Sequence, residues 1–469
     1  MAQYGIVSTE AFVAYLSWLA AIPVLFLTIL LHEIGHFIAA RLMKVRVEEF
    51  GIGFPPRMLV LGERKGVKYT LNWLPIGGFV KMAGEEDPNI PGSLASKKPW
   101  QRVIVLSAGA LMNLLLAFLL FTGLAMYGHT EIVSKQIGTY YTEPGSPGEA
   151  AGLLPGDVIV AMNGRPITTY EDLQIETTLN RGVTVTLVLD RQGESITTQL
   201  MPRKDPPERQ GAIGIRIGYY ESPVTAQWVV PDSPAAQAGL REGDVVVALD
   251  GQATPNSLAY LAYADSRLGQ DLAVTVRRDG QELTLQVPNP AAYQGLPMGL
   301  DYRRLAYRTL PLHLAVVEGG QETVNAAALV PRTLASLVRG STQLSDMSGV
   351  VGITYAAAQV VRTAGLYGLL RLMAIISVNL FLVNLFPLPA LDGGRLVFVF
   401  LEWIRGGRRI SPETEGLIHM IGFFLLLGLI AVITYYDIAR VIRMETPDAA
   451  TLYDFGRWLG RQVLSGRGP

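Results

Sequence analysis

The sequence predicts a polytopic α-helical membrane protein with two small α/β domains inserted between its membrane parts. The 469-residue chain contains four long apolar runs, each close to the roughly 20 residues that a membrane-spanning helix needs. An internal repeat lies between the second and the third run. The mean hydropathy of +0.30 fits a mixture of membrane-embedded and soluble parts.

The apolar runs set the expected order of the membrane parts. The first run begins at residue 12, but Pro23 suits the first turn of a helix, so the first span is predicted at about 22–41. The other three spans are predicted at about 103–127, 370–391 and 416–436. The expected organisation is a first membrane part at 1–127, an amphipathic juxtamembrane helical region at 303–350, a second membrane part at 351–445 and a tail at 446–469.

The basic residues predict the orientation in the membrane. Lys and Arg outnumber Asp and Glu by eleven to six over residues 41–102, and four arginines lie between the third and the fourth predicted span. The positive-inside rule then places both of these loops in the cytoplasm and residues 128–371 outside. The net charge of −1 gives no overall field that would favour nucleic acid as a partner.

The outside segment repeats itself at an offset of 87 residues. The sequence PGSPGEAAGLLPGDVIVAMNG begins at Pro144, and PDSPAAQAGLREGDVVVALDG begins at Pro231. Each copy predicts a short helix, a glycine cap, a strand and an Asn-Gly or Asp-Gly hairpin turn. Two copies indicate two small domains, at 132–202 and 222–288, because a solenoid needs three or more repeats.

The HEIGH sequence at residues 32–36 indicates a metal site at membrane depth. On a helix, His32 and His36 share one face, so both imidazoles can reach one cation. Glu33 is close enough to address a water at that cation. The alternative is two histidines satisfied inside a helix bundle. Each ionisable side chain at membrane depth costs roughly 2.5–3.5 kcal/mol on insertion scales, so three of them within five positions favour a function.

The sequence offers two candidates for the third metal ligand. A catalytic zinc takes three protein ligands and keeps one open position, and the chain contains no Cys. Asp392 is the one acid in the stretch 377–396, where it follows Pro387 and Pro389. These prolines break a helix and permit a turn that directs the carboxylate inward. His419 is the alternative ligand, and the pattern favours Asp392.

Two distant motifs together resemble the site-2 protease family of intramembrane zinc proteases. They are HEIGH and the sequence N-x-x-P-x-P-x-x-D-G-G from Asn384 to Gly394. The repeats carry the pattern S-P-A-x-x-A-G-L-x-x-G-D-x-I, which resembles the PDZ domains of bacterial envelope proteases. This tandem insertion is similar to that of the RseP-type members of the family.

Further stretches extend the resemblance over nearly the whole chain. GIGFPP from Gly51 and LPIGGFVKM from Leu74 resemble the membrane-associated β-loop of the family, here at about 47–82. SAGALMN, ending at Asn113, and DMSGVVGI also match. These two depart from the family at Ala110 and Val350, where proline is usual, and the changes affect packing more than chemistry.

The resemblance implies that His32, His36 and Asp392 bind Zn²⁺ and that Glu33 is the general base. Asn384 and Asn379 could donate hydrogen bonds to the substrate backbone or to the developing oxyanion, and the alternative for both is bonding between helices. The period-2 stretch 67–82 is the candidate strand edge for capturing an unwound substrate, and the alternative is a plain cytoplasmic hairpin.

The expected function is regulated intramembrane proteolysis in the inner membrane of a bacterium. Single-span membrane proteins such as anti-sigma factors, and remnant signal peptides, are the expected substrates, after a first cut by a site-1 type protease. The PDZ-like domains are expected outside the cytoplasm, with the active site towards the cytoplasmic side of the lipid bilayer. The alternatives are a PDZ membrane scaffold with an inactive metal site, which the intact Glu33 disfavours, and a metal transporter, which the lack of inverted-repeat symmetry disfavours.

Overall fold

The computed structural model of the protein describes residues 19–85, 87–207, 210–290 and 296–445. The expected tail at 446–469 lies outside the described residues. The chain divides into two compact units. Of the described residues, one unit contains those within 19–128, 309–331 and 344–445, and the other contains those within 129–308 and 332–343.

Ten α-helices and seventeen strands occur in the described residues. The helices are α1 (Ala21–Leu42), α2 (Pro99–Tyr127), α3 (Pro147–Ala150), α4 (Tyr170–Leu179), α5 (Pro234–Gln237), α6 (Ser257–Ser266), α7 (Leu312–Val338), α8 (Val350–Leu385), α9 (Asp392–Ile404) and α10 (Pro412–Glu445). The strands are β1 (Val47–Arg64), β2 (Val67–Met82), β3 (His129–Ile132), β4 (Ile137–Thr142), β5 (Val158–Met162), β6 (Arg165–Pro166), β7 (Val185–Arg191), β8 (Glu194–Leu200), β9 (Ile215–Tyr219), β10 (Val224–Thr225), β11 (Trp228–Val229), β12 (Val245–Leu249), β13 (Gln252–Ala253), β14 (Gln270–Arg278), β15 (Gln281–Asn289), β16 (Leu300–Asp301) and β17 (Leu305–Arg308). Two 3₁₀ turns lie at Pro297–Gly299 and Leu344–Asp346.

Four of the described helices are long and apolar enough to cross a membrane. The candidate spans are Ala21–Leu42, Pro99–Tyr127, Ala364–Leu385 and Pro412–Ile442. The third ends at Leu385 rather than at residue 391, because the residue before a proline disfavours the helical conformation and a proline has no N–H to donate. The helix resumes at Asp392 as α9. A polytopic membrane protein with additional β domains is therefore confirmed.

The first unit is built around close contacts between α1 and α2. A Cβ at Gly35 of α1 would lie 2.5 Å from the carbonyl oxygen of Ala108 on α2, so the two backbones approach as closely as glycine allows. One buried apolar cluster joins these helices to β1, β2 and α9, through Ala39, Val105, Phe50, Val67 and Leu396 among others. The elements that carry the predicted ligands thus share one core.

Strands β1 and β2 fold into more than a simple hairpin. Glu49 pairs with both Lys68 and Lys81, and Gly51 pairs with both Thr70 and Phe79. The start of β1 therefore lies between two parts of β2, and residues 57–64 pair with 67–72 on the outer side. Residues 78–82 pair with β1 alone in the described ladder, which makes them an edge of the sheet.

The second unit contains two modules of the same design, at residues 137–219 and 224–302. The first has the strand order β8-β7-β5-β4-β9 with β6 on β5, and the second has β10-β12-β14-β15 with β13 on β12. Strand β9 pairs with β4 and strand β16 pairs with β11. Each module therefore gains a strand beyond the expected ends at 202 and 288. Strand β17 pairs with β3.

The sequence repeat reappears as a repeated ion pair. Arg191 binds both carboxylate oxygens of Asp157 at 2.6 and 2.8 Å, and it donates to the carbonyl of Gly152. At the same offset of 87 residues, Arg278 binds Asp244 at 2.7 Å through two nitrogens. Burial alone would raise the pKa of Asp244, but the Arg278 guanidinium holds it below its ordinary value.

Candidate metal centre

Three side chains from two distant parts of the chain converge at the HEIGH helix. The Nε2 atoms of His32 and His36 lie 3.1 Å apart, and each lies 3.1 Å from Oδ2 of Asp392. Both histidines are buried in the first unit. The spacing of four residues on α1 gives the imidazoles a common face, and the packing of α9 against α2 brings the carboxylate to them.

A backbone carbonyl sets the tautomer of His36. Its Nδ1 lies 2.8 Å from the carbonyl oxygen of Val105 on α2. A carbonyl only accepts hydrogen bonds, so Nδ1 carries the proton and the Nε2 lone pair faces His32 and Asp392. The neutral imidazole is thus held in the form that binds a metal.

The side-chain amide of Asn113 on α2 faces Nδ1 of His32. This side chain is fully buried, and Nδ2 lies 3.4 Å from Nδ1 of His32 while Oδ1 makes no hydrogen bond to any described residue. The two ends of an amide are interchangeable by a flip. In the flipped orientation, Oδ1 would accept Nδ1–H of His32, and the Nε2 lone pair of His32 would then face the centre.

The residues present fit a zinc ion. Two imidazole nitrogens and one carboxylate oxygen are a donor set found at catalytic zinc sites. Tetrahedral ligands at about 2.0–2.1 Å from zinc lie roughly 3.3 Å apart, close to the three measured separations of 3.1 Å. A Cβ at Gly109 of α2 would lie 2.7 Å from His32 Nε2 and would overlap His36 Nε2, so glycine at this position keeps the space beside the donor atoms open.

Asp392 is presented by a turn without helical structure. The turn follows α8, and Asp392 is the first residue of α9. Cβ atoms at Gly393 and Gly394 would lie 2.5 Å or less from backbone carbonyls of the turn, so these glycines permit the tight packing. His419, the alternative ligand, points elsewhere, and its Nδ1 accepts the N–H of Ala390 at 2.9 Å.

Glu33 is bonded to the edge of the β-sheet. Its Oε2 accepts the backbone N–H of Val80 at 3.0 Å. A Cβ at Gly78 would lie 2.7 Å from the Gly51 carbonyl and 3.2 Å from Leu30 of α1. The glycine pair at 77 and 78 therefore lets β2 approach α1 at the HEIGH sequence.

The two asparagines expected at a substrate subsite lie on α8. Asn384 is half-buried in its last turn, and Asn379 is exposed. Sequence reasoning gave no role to Asn113 or Gly109, although both lie in the SAGALMN stretch. The available signal was an amide in the uncharged apolar run 103–127, one turn from a glycine on the same face.

Comparisons with known proteins agree with this geometry. The model of peptidase family M50 matches residues 20–429. The chain belongs to peptidase family M50. This is the site-2 protease family that the motifs resemble, so the chain is a zinc metalloendopeptidase of the site-2 type. Membership of a peptidase family favours a protease over an inactive scaffold or a transporter.

Relatives of nearly the same length are named as proteases. The regulator of sigma-E protease RseP of Escherichia coli is 28% identical over 450 residues, which cover 91% of this chain and 98% of the relative. The regulator of sigma E protease of Salmonella typhi is 29% identical over 440 residues, with 88% and 96% covered. A candidate zinc metalloprotease of Neisseria meningitidis is 28% identical over 455 residues, with 90% and 99% covered.

Proposed function

We propose that this M50 protease hydrolyses peptide bonds in the transmembrane segments of single-span membrane proteins, at a zinc ion held by His32, His36 and Asp392. The observation that carries the proposal is the mutual 3.1 Å separation of the three donor atoms, with Glu33 on the same helix. When bound, zinc supplies a Lewis acid that polarises the scissile carbonyl and activates water.

The chain's own residues supply the proton transfers. Glu33 takes a proton from the attacking water and passes it to the leaving amine. Its hydrogen bond to Val80 fixes the direction of the carboxylate. Asn384 and Asn379, near the turn before Asp392, donate hydrogen bonds to the substrate backbone or to the developing oxyanion.

The edge of β2 captures the substrate. A helix in a membrane pairs its own amides, so a segment must unwind before it can be cut. An extended segment gains backbone hydrogen bonds by joining a free strand edge. Residues 78–82 are such an edge in the described ladder, and the bond from Val80 places this edge at Glu33.

The substrates are proteins whose outside domains another protease has already trimmed. The related regulators of sigma-E protease support anti-sigma-factor-like proteins as the substrate class, and remnant signal peptides have the same single-span form. A site-1 type protease makes the first cut. The chain lies in the bacterial inner membrane, with its modules outside and its active site towards the cytoplasmic side, as the basic loops indicate.

The two modules are PDZ-like domains that exclude substrates with bulky outside domains. Their common design, with the Asp157–Arg191 and Asp244–Arg278 pairs at matching positions, supports the assignment as one repeated domain type. A size filter explains why prior trimming is needed.

The decisive test is a cleavage assay in detergent with a panel of single-span membrane proteins. We expect the purified protein to cut a trimmed substrate within its apolar segment, a chelator to stop the reaction, and added zinc to restore it. Glu33→Gln serves as the control for contaminating proteases. Cleavage that continues unchanged in the chelator, or in Glu33→Gln, would disprove the proposal.

A further inference from the structure

The turn that presents Asp392 is attached to α10, and we infer that His419 of this helix is a positioning residue for the metal centre. The inference rests on the proposed role of Asp392 as a zinc ligand. Helix α10 contributes no donor atom to the three-residue centre. The inference nevertheless gives this helix an influence on the geometry of that centre.

The conformation of the turn is unfavourable by itself. Ala390 has a φ of +76°, in the left-handed region that side chains with a Cβ rarely adopt. Leu391, the N-cap of α9, provides no side-chain cap. The backbone at Ala390 determines the direction in which the chain enters Asp392, two residues later, so an external contact has to hold it.

His419 provides this contact. Its Nδ1 accepts the backbone N–H of Ala390 at 2.9 Å. The ring also lies against Phe398 of α9, with 5.4 Å between the centroids, and the Nε2 atom is buried. The imidazole is thus held between the turn and the helix that begins at Asp392, which fixes the acceptor nitrogen in place.

A second residue of α10 makes the approach possible. Gly422 lies one turn beyond His419, on the same face of the helix. A Cβ at Gly422 would overlap the side chain of Pro389 and would lie 2.9 Å from its carbonyl carbon. The backbone of α10 therefore rests directly on the turn, and His419 and Gly422 form one contact face.

Helix α10 is mostly exposed along its apolar length, and this face is one of its contacts with the membrane unit. Only 6% of its most apolar stretch is buried, against 33% for each of the other three candidate spans. Helices α1 and α2 fix the two histidine ligands, whereas the direction of the aspartate ligand depends on α10. The position of α10 and the metal centre are coupled through the Ala390–His419 hydrogen bond.

The test compares three substitutions at His419 in the full-length protein. His419→Leu removes the acceptor, His419→Asn keeps an acceptor near the position of Nδ1, and His419→Gln places one farther out. Zinc affinity is measured by competition with a chromogenic chelator, the visible spectrum of the cobalt-loaded protein reports ligand geometry, and kcat and KM are determined separately.

We expect His419→Leu to weaken zinc binding about tenfold, to alter the cobalt spectrum and to lower kcat with KM unchanged. His419→Asn should retain most of the wild-type behaviour, and His419→Gln should resemble His419→Leu.

A rescue variant tests whether His419 acts on zinc binding through the backbone conformation of Ala390. Glycine adopts a φ of +76° without strain, so Ala390→Gly in the His419→Leu background should restore most of the zinc affinity and the cobalt spectrum. A folded His419→Leu protein with wild-type zinc affinity and spectrum would overturn the inference. It would also be overturned if His419→Asn were as impaired as His419→Leu, or if Ala390→Gly restored nothing.

Asp392→Ala in the same assay separates this inference from the proposed function. If Asp392→Ala binds zinc as tightly as the wild type, the proposed ligand set is wrong. If Asp392→Ala loses zinc while His419→Leu keeps wild-type affinity and spectrum, the ligand set stands and only the positioning role of His419 fails.

Discussion

The backbone N–H of Val80 donates a hydrogen bond of 3.0 Å to the carboxylate of Glu33. The residue proposed as the general base is therefore bonded to the strand edge proposed to receive the substrate. The contact joins substrate capture to proton transfer, because a substrate strand that joins this edge lies next to the base.

Val80→Pro should slow hydrolysis without removing zinc. The substitution removes the N–H that Glu33 accepts, and proline is tolerated on edge strands where the N–H faces away from the ladder. Loss of a hydrogen bond to a charged group corresponds to a fall in kcat of roughly tenfold to a hundredfold. Steady-state kinetics and metal analysis check this. Val80→Ala keeps the N–H and is the matched control, and equal rates for the two variants would contradict the proposed role.

Glu33→Gln and Asp392→Ala should separate the base from the ligand. Glu33→Gln should lower turnover by about 10²–10⁴-fold with zinc still bound, because the amide cannot take a proton. Asp392→Ala should lose zinc and activity together, because it removes a donor atom. Metal analysis of both purified variants decides the roles. If Asp392→Ala keeps full zinc while His419→Ala loses it, the third ligand is His419.

Gly109→Ala should abolish zinc binding in a folded protein. The added Cβ would lie 2.7 Å from His32 Nε2 and would force the imidazoles apart. Gly123→Ala on the same helix is the matched control, since its Cβ would meet nothing within 4 Å. That control should keep its zinc and gain about 0.5–1 kcal/mol of stability. Thermal unfolding and metal analysis of both variants provide the comparison, and equal zinc content would disprove the crowding argument.

Asn113→Leu should weaken zinc binding by about 10–100-fold. The substitution removes the amide that faces Nδ1 of His32 while keeping a similar volume. Asn113→Asp retains an acceptor for the Nδ1 proton and should bind zinc nearly as the wild type does. Chelator competition measures both affinities. Wild-type affinity in Asn113→Leu would show that His32 needs no partner at Nδ1.

Removal of the two modules should relax the proposed size limit on substrates. Ile132 and Leu305 are paired across β3 and β17, so residues 133–304 can be replaced by a short Asn-Gly turn that keeps this strand pair. We expect the shortened enzyme to cut a trimmed single-span substrate at a rate similar to the wild type. It should also cut a substrate that still carries a folded outside domain, which the wild type should reject. Loss of cleavage of the trimmed substrate, in a folded and zinc-loaded protein, would show that the modules recruit substrates.

The elements that depend on neighbouring residues could be predicted from the sequence. The HEIGH spacing put two imidazoles on one helix face, and the four apolar runs indicated the four candidate spans, whose ends differ from the expected ones by up to six residues. Pro387 and Pro389 indicated the break before Asp392. The repeat with an offset of 87 residues indicated two like modules, and strands β9 and β16 lie beyond the expected ends at 202 and 288.

The tertiary structure decided which of the distant candidates meet. Asp392 and His419 were both possible ligands by residue type, and the packing of α9 against α2 directs only Asp392 to the histidines, 356 residues away from His36 in sequence. The packing of α10 on the turn brings His419 to the backbone of Ala390. The packing of α2 against α1 brings Asn113 and Gly109 to the histidines. Local patterns determine helices, strands and the face on which a residue lies, because they depend on contacts a few residues apart. A three-ligand site depends on how those faces pack, and this is set by the shapes of whole helices, including the glycines at 35, 109 and 422 that let backbones approach.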